Sequence, residues 1–423
     1  MATDVDVQYF SHLNGLTLAN NWGDLIRLLD KALVTGIDFT QITAASIDAQ
    51  GDVHITLYAA HNAMLFQVVE LSGFAPTSLN QKYRIKGVPS VTELILKPHA
   101  TITETSIATI GSGKLASLGY DIIFRDLGDV KRVYRAKNPT AQHPFIRVDE
   151  SLTSPDGTTG VYTSTYAKYA MVGLLEHMEH IDDYETTGVL QLPFNPTDLA
   201  KNWKINGAAG SVVRGWSKWY YACANEPWDD IYETASPPSG NRNFTLVGDK
   251  GCFYLLRNLA TNTSFGKLLS GCGTYNSNQD NSLEKNWFLM TTLSSQVAGT
   301  YLGLRIVDGG IPLSNSSAYA SLFLPEGTNE SHVKASLITP DFKTGYSGIA
   351  SSTSTPALEI PILTATKKLK GTLKHLYYSG RNTGVTNPTQ IISDTSMYIN
   401  DALYITSDGG QKGGVYFYLG ESE

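Results

Sequence analysis

The stretch 130–151, VKRVYRAKNPTAQHPFIRVDES, constrains the fold of this chain more than any other segment. It contains two runs of β-forming residues, 130–136 and 143–151, and the pair Asn138-Pro139 lies between them. Adjacent Asn and Pro favour a turn, and apolar and charged side chains alternate along both runs. This pattern predicts an antiparallel hairpin with one dry face and one wet face.

Three charged side chains fall on the predicted wet face of this hairpin: Arg135, Arg147 and Asp149. Opposite charges at neighbouring positions of a sheet stabilise it by pairing across strands. We therefore expect these residues to pair with one another within the hairpin, on a surface that water reaches.

Most of the chain has the same β character. Between about residues 40 and 125 the hydrophobic period is two, and Gly, Pro and Asn separate four β-forming runs: 52–60, 64–73, 82–88 and 92–98. Their spacing of roughly 8–15 residues suits a small sandwich or barrel. Further short runs of this kind continue to the C-terminus, and Asp249-Lys250-Gly251 is predicted to form a tight turn between paired strands.

The length of 423 residues exceeds what one hydrophobic core usually supports. We predict a mainly β, multi-domain protein built from antiparallel β-sandwich or barrel modules with one N-terminal amphipathic helix. The predicted divisions are an N-terminal arm and helix at 1–38, a small β-sandwich module at 39–125 and a larger β-rich domain at 126–423.

One amphipathic helix is expected near the N-terminus. Asn21 can cap it, residues 22–33 have helical periodicity, and Gly36 can end it. The residues that share its apolar face are Leu25, Leu28, Leu29, Ala32 and Leu33. This face packs either on the chain's own core or on a neighbouring subunit, because the polar residues 1–20 before it are predicted to form a free arm.

Composition excludes several classes of partner. The net charge is −7 and there is no block of five or more like charges, so the sequence lacks the basic patch that nucleic-acid binding requires. The three cysteines, Cys223, Cys252 and Cys272, form neither a disulfide framework nor a CxxC motif. No signal-peptide pattern begins the chain, and no apolar run approaches about 18 residues. We expect a soluble protein, made in a cytoplasm, that binds neither nucleic acid nor membranes.

The densest cluster of potential ligands is the segment 176–183, EHMEHIDD. A metalloprotease helix needs two His residues four apart with Glu after the first, whereas His177 and His180 are three apart. On a strand their side chains would point to opposite faces. We interpret 176–183 as a solvated polar stretch, and we favour strand over helix for the longer segment 166–188 around it.

A second group of acids lies beside Trp228, and its members are Glu226, Asp229 and Asp230. Glycosidases use two carboxylates about 5–10 Å apart with aromatic platforms for the sugar rings. The candidates for a second carboxylate are Asp182, Asp183 and Glu185. Neighbouring acids are expected by chance in a chain with 39 of them, so a depolymerase and a glycan-binding surface remain alternatives to a structural role.

No sequence motif assigns chemistry to a particular residue. The chain has no GxSxG motif and no phosphate-binding loop of the GxxxxGK[ST] type. Cys252 lies within an apolar run, where a buried and inert thiol is expected. We therefore predict no enzymatic activity, no catalytic residue, no cofactor and no metal ligand.

Four segments resemble, in their order and wording, structural proteins of tailed-bacteriophage particles: 23–36, 133–149, 179–187 and 246–255. The resemblance is to virion components encoded in the tail regions of Mu-like and related phages. It implies a non-enzymatic subunit of a symmetric assembly, and it implies strands beside the hairpin that carries Arg147.

We accordingly expect a bacteriophage virion structural protein that acts by oligomerisation as a tail or tail-tip/baseplate component. The alternatives are a neck, collar or capsid-decorating protein, and a receptor- or glycan-binding tail protein. The expected partners are copies of the chain itself and other phage tail or virion proteins within the particle. A charged content of only 17% and the 23 tyrosines suit large buried interfaces.

Overall fold

A computed structural model shows a mainly β protein with extended antiparallel sheets and one short α-helix near the N-terminus, as the sequence predicts. No helix among the residues that it covers is long and apolar enough to span a bilayer. The described residues are 3–154, 161–206, 213–215, 217–224, 234–261, 267–279, 284–293, 322–326, 329–337, 357–364, 368–379, 386–404 and 412–422.

The first sheet, here called the small sheet, has seven strands in the spatial order β2-β8-β5-β6-β7-β4-β3. Four of its strands overlap the four β-forming runs that the sequence predicts between 52 and 98, and one of them, Lys82–Ser90, extends two residues past its run. Its members are β2 (Ile37–Asp38), β3 (Ile42–Ile47), β4 (Val53–Leu57), β5 (Val68–Ser72), β6 (Lys82–Ser90), β7 (Glu93–Pro98) and β8 (Ser112–Leu115).

The second sheet, here called the hairpin sheet, has the order β13-β12-β11-β10-β9, and β16 also pairs with β12. Its members are β9 (Tyr120–Arg125), β10 (Lys131–Ala136), β11 (Phe145–Asp149), β12 (Lys168–Leu175), β13 (Gln191–Leu192) and β16 (Lys218–Ala222). A separate two-stranded ribbon pairs β14 (Ile205–Asn206) with β15 (Val213–Arg214). The strand β12 confirms the strand prediction for this part of 166–188, and it pairs with β11 as the resemblance implies.

The third sheet, here called the large sheet, has the order β1-β17-β18-β19-β21-β22-β23-β24-β25-β28-β27-β26, and β20 also pairs with β25. Its members are β1 (Gln8–Ser11), β17 (Phe244–Gly248), β18 (Cys252–Arg257), β19 (Leu268–Thr274), β20 (Asn276–Ser277), β21 (Trp287–Leu293), β22 (Leu322–Glu326), β23 (Asn329–Leu337), β24 (Leu358–Thr364), β25 (Leu369–Tyr378), β26 (Thr389–Ser393), β27 (Ser396–Tyr404) and β28 (Lys412–Glu421). All the pairings among described strands are antiparallel.

The prediction of a free arm at 1–20 is wrong. Strand β1 pairs antiparallel with β17, and a short 3₁₀ turn follows it at His12–Asn14. The side chains of Tyr9 and Phe10 are fully buried. The polar residues of this segment suggested exposure, but they are buried because they satisfy buried backbone groups. The Gln8 side-chain amide donates to the Val68 and Ala116 carbonyl oxygens at 2.8 Å each.

The N-terminal helix packs on the core of its own chain. It runs as α1 (Asp24–Leu29) and continues as a π-helical segment, Asp30–Thr35. Burial of a leucine side chain contributes about 1.5–3 kcal/mol, so this face is a substantial part of the core. The predicted apolar face is confirmed, since its members are all buried in one cluster: Leu25, Leu28, Leu29, Ala32 and Leu33.

Gly36 ends the helical segment, as predicted. Its φ of 73° lies in the left-handed region, and a Cβ atom there would lie 2.1 Å from the carbonyl oxygen of Leu115. A side chain is therefore excluded at this position both by backbone strain and by the close approach of β8.

The main hydrophobic cluster contains side chains from all three predicted divisions, for example Leu25, Ile55 and Phe253. The small sheet draws its strands from 37–115, which lies almost entirely within the predicted module 39–125. The domain boundaries remain a prediction. A further 3₁₀ turn lies at Thr77–Leu79.

Candidate functional site

The predicted hairpin forms, with Lys131 opposite Asp149 and Tyr134 opposite Ile146. The prediction that one face of this hairpin is exposed to water, however, is wrong. All five residues of β11 are buried, and the side chains of Arg147 and Asp149 have no exposed surface. The alternation of the sequence is real, but the polar side is covered by the segment that follows β12.

Arg147 is the centre of the buried charges on this face. Its guanidinium donates to the Asp149 carboxylate at 2.9 Å, to the Asp182 carboxylate at 2.5 Å and to the Ile181 carbonyl oxygen at 2.7 Å. The Asp182 carboxylate also accepts from the Lys131 ammonium at 2.9 Å. Buried charges must be paired in this way, because an isolated charge away from water is very costly.

Aromatic rings complete the enclosure of Arg147. The guanidinium carbon lies 4.3 Å from the ring centroid of Trp203 and 5.0 Å from that of Tyr184. Trp203 reaches β12 because Gly173 leaves room for it: a Cβ atom on Gly173 would lie 2.6 Å from the indole ring. The expected pairing of Arg147 with Asp149 is confirmed, whereas Arg135 lies over the Phe145 ring at 4.3 Å, with no carboxylate partner among the described residues.

The acid that follows this hairpin holds the N-terminal helix. The Glu150 carboxylate accepts from the backbone N–H groups of Gly23 at 2.6 Å and of Ile26 at 2.9 Å, and from the Tyr221 hydroxyl at 2.5 Å. It thereby satisfies the first turn of α1, which begins at Asp24 after the N-cap residue Gly23. The prediction that Asn21 caps this helix is wrong, because a carboxylate more than 120 residues away has that role.

The other strand of the hairpin contacts the far end of the helix. The Tyr134 hydroxyl donates to the Asp30 carboxylate at 2.8 Å, and Arg132, which is almost fully buried, donates to the same carboxylate at 3.2 Å. Burial and then the Asp30 charge raise the pKa of Tyr134 well above its ordinary value, so it remains a donor. We call α1, the π-helical segment, β10, β11 and residues 176–187 the helix–hairpin unit.

Some residues of the segment 176–183 are exposed to water, and others make contacts within the protein. His177 and Glu179 are exposed and 3.5 Å apart, as expected for a solvated stretch. Asp182 instead pairs with Arg147, which corrects that interpretation for this residue. The Asp183 carboxylate accepts from the Glu179 backbone N–H and the Thr186 hydroxyl, so it shapes a turn. The Asp182 and Asp183 carboxylates therefore make contacts within the fold. The second group of candidate acids and its tryptophan lie outside the described residues: Glu226, Trp228, Asp229 and Asp230.

A second cluster lies at the predicted turn of the large sheet, where Gly248 of β17 pairs with Phe253 of β18. Asp249, Cys252 and His375 each place one potential metal-ligating atom there, and these three atoms lie within 4.8 Å of one another. The Asp249 carboxylate is 3.0 Å from Nε2 of His375. Its other oxygen accepts from the backbone N–H groups of Gly251 at 2.6 Å and Cys252 at 2.9 Å. We call these three residues the turn cluster.

The pKa values of Asp249 and Cys252 are shifted in opposite directions. Burial opposes the charge on Asp249, but the His375 hydrogen bond and the two backbone donors outweigh it and lower the pKa of Asp249 to about 2. Burial, and then the Asp249 charge, raise the pKa of the Cys252 thiol well above its ordinary value, while Lys374 acts in the opposite sense. The prediction of a buried thiol is confirmed. Without a metal ion it is a poor nucleophile.

Sequence reasoning missed the turn cluster because its members are far apart along the chain. His375 is 126 residues from Asp249, and no spacing motif links them. The predicted tight turn at Asp249-Lys250-Gly251 is confirmed, and it was the one local signal at this place.

Comparisons with known proteins add little to this description. No protein-family model and no curated protein matches the chain. One solved structure that it resembles is "Phage phi92 endosialidase", at 12% identity over 92% of this chain and 51% of that chain, with a TM-score of 0.14. The chain thus spans about half the length of that protein. A likeness this distant supports no conclusion about the fold or function of this protein.

Proposed function

We propose that this protein is a non-enzymatic structural subunit of a tailed-phage particle that acts by oligomerisation, as a tail or tail-tip/baseplate component. The observation that carries the proposal is the convergence of the four segments that resemble virion proteins. Segment 23–36 contacts 133–149 through Tyr134, and 133–149 contacts 179–187 through Arg147. Segment 246–255 contributes Leu246, Phe253 and Leu255, among others, to the hydrophobic cluster that also buries the helix.

A subunit of such an assembly needs surfaces for its neighbours, and the apex of the β9–β10 hairpin is suited to this use. Leu127 is fully exposed there. The Asp126 carboxylate fixes the apex by accepting from the backbone N–H groups of Gly128, Val130 and Lys131 at 2.7–3.1 Å. An exposed apolar side chain at an apex of fixed conformation would contribute to a heterologous contact between copies of the chain.

The proposal is tested first by the oligomeric state of the purified chain. We expect a discrete oligomer by mass photometry and negative-stain imaging, and a shift toward monomer in Leu127→Ser. The control is Ile392→Ser, which changes another exposed apolar side chain on β26 of the large sheet and should leave the oligomer intact. Thermal melts of both variants should match the wild type, since exposed substitutions usually change stability by less than about 0.5 kcal/mol.

The second test locates the chain in the particle. Gold-labelled antibodies against it should decorate the tail or tail tip in negative-stain images. Labelling of the neck, collar or capsid surface would retain a virion role and replace the tail assignment, and absence from purified particles would contradict the proposal. Clearing of capsular polysaccharide that is lost in Asp229→Asn would show an enzyme instead, and saturable glycan binding would favour a receptor-binding protein.

A further inference from the structure

We propose that the turn cluster, Asp249, Cys252 and His375, binds one zinc-class transition-metal ion that ties the β17–β18 turn to strand β25. The three potential ligands are a carboxylate oxygen, a thiol sulfur and an imidazole nitrogen within 4.8 Å of one another. A sulfur and a nitrogen in one donor set favour zinc and its neighbours over calcium or magnesium, which prefer oxygen ligands.

The distances fit a site that closes by small movements. Zinc bonds of about 2.0–2.3 Å place tetrahedral donors about 3.3–3.8 Å apart. The carboxylate and imidazole of Asp249 and His375 are 3.0 Å apart and would separate slightly, while the widest separation in the cluster, at most 4.8 Å, would contract by about 1 Å. The backbone N–H groups of Gly251 and Cys252 bind one carboxylate oxygen of Asp249, which orients the other oxygen toward His375.

A second, independent observation is a buried hydroxyl group near the cluster. The hydroxyl groups of Tyr120 and Tyr254 are both buried; that of Tyr254 interacts with the Cys252 thiol, whereas that of Tyr120 has no hydrogen-bond partner among the described residues. Asp249 and Cys252 are among the groups whose charges act on both of them. A buried polar atom without such a partner is costly, and a bound ion with a water molecule would supply one.

The charges around the turn cluster permit a thiolate–metal bond. Binding would release the Cys252 proton to solvent, and the metal ion would take its place on the sulfur. The nearby Lys374 ammonium donates to the Thr274 hydroxyl at 3.0 Å. One thiolate and one carboxylate balance the two positive charges of the ion.

The test uses the full chain, stripped with a chelator and titrated with Co²⁺ and then Zn²⁺. We expect one Co²⁺ per chain, a thiolate-to-cobalt charge-transfer band, and its loss when Zn²⁺ displaces cobalt. Cys252→Ser and His375→Asn should each weaken binding at least about tenfold. The matched control is Cys272→Ser, which removes another fully buried thiol on the neighbouring strand and should keep the band.

Two outcomes would overturn this assignment: no charge-transfer band in the wild-type chain, or equal loss of the band in Cys272→Ser. If Cys252→Ser does not fold, His375→Asn decides, because His375 is partly exposed and Asn tolerates its left-handed φ of 57°. Circular dichroism of each variant shows that the fold is retained. The result is independent of whether the chain assembles into a particle.

Discussion

Strands β4 and β11 carry similar alternating sequences, VHITL and FIRVD, but they lie in different environments. In β4 of the small sheet, Val53, Ile55 and Leu57 are buried while His54 and Thr56 between them are partly exposed. In β11 of the helix–hairpin unit every residue is buried, including Arg147. Alternation therefore identifies a strand and its two faces, but it does not identify which faces reach water.

The difference follows from where the polar partners come from. His54 pairs at 2.9 Å with Asp48, only six residues earlier, in the hairpin loop beside it. Arg147 pairs with Asp182, 35 residues away, and so its cover exists only after the later segment has folded back. In β4 the nearby partner leaves the strand face open to water, whereas in β11 the later segment that carries Asp182 covers the face.

The largest expected effect comes from removing the central charge of the helix–hairpin unit. Arg147→Met should lower the free energy of unfolding by about 3–5 kcal/mol, because it leaves the Asp149 carboxylate buried without its cation. Chemical denaturation measures the change. The matched control is Arg135→Met on the same hairpin, which has no carboxylate partner among the described residues and should cost less than about 1 kcal/mol. Equal losses of unfolding free energy in the two variants would contradict a larger contribution from the buried Arg147–Asp149 pair.

A smaller loss is expected from the acid that holds the helix. Glu150→Gln should reduce the free energy of unfolding by about 1.5–3 kcal/mol, because the neutral amide has one acceptor oxygen for three donors. Hydrogen exchange should show faster opening of α1 than of β4. Protection of the helix amides that is unchanged from the wild type would refute the capping role.

Strand β12 gives a pH-dependent test within the hairpin sheet. Burial, with a contribution from Arg242, lowers the pKa of Lys168 from 10.5 to about 8. The folded state then binds fewer protons than the unfolded state between pH 8 and 10.5, so this group destabilises the protein below that window and ceases to do so as pH rises through it. Relative to Lys168→Met, the wild-type chain should gain about 1–2 kcal/mol from pH 8 to pH 10.5 in denaturant titrations. A constant difference across the window would contradict the lowered pKa.

The smallest effect is expected on the open face of the small sheet. Glu70 and Lys114 form an ion pair at 3.4 Å with both side chains partly exposed. Glu70→Gln should change the free energy of unfolding by about 0–1 kcal/mol, less so at high salt. A loss as large as that of Arg147→Met would erase the contrast between the two regions.

Much of the fold was accessible to local reasoning. The strands between Val53 and Pro98, the hairpin and the apolar face of the helix follow from hydrophobic period and turn residues, which act over a few positions. The free arm and the Asn21 cap were wrong because both depend on distant parts of the chain. Strand β1 requires β17 as a partner, and the helix start uses Glu150.

The sequence by itself determined the mainly β class, the positions of many strands, the tight turn after Gly248 and the stop at Gly36. Only the tertiary structure decided that Arg147 is buried, that Glu150 holds the helix, and that His375 meets Asp249. The physical reason is range: period and turn chemistry are properties of neighbouring residues, whereas burial and ion pairing depend on side chains that the folded backbone brings together.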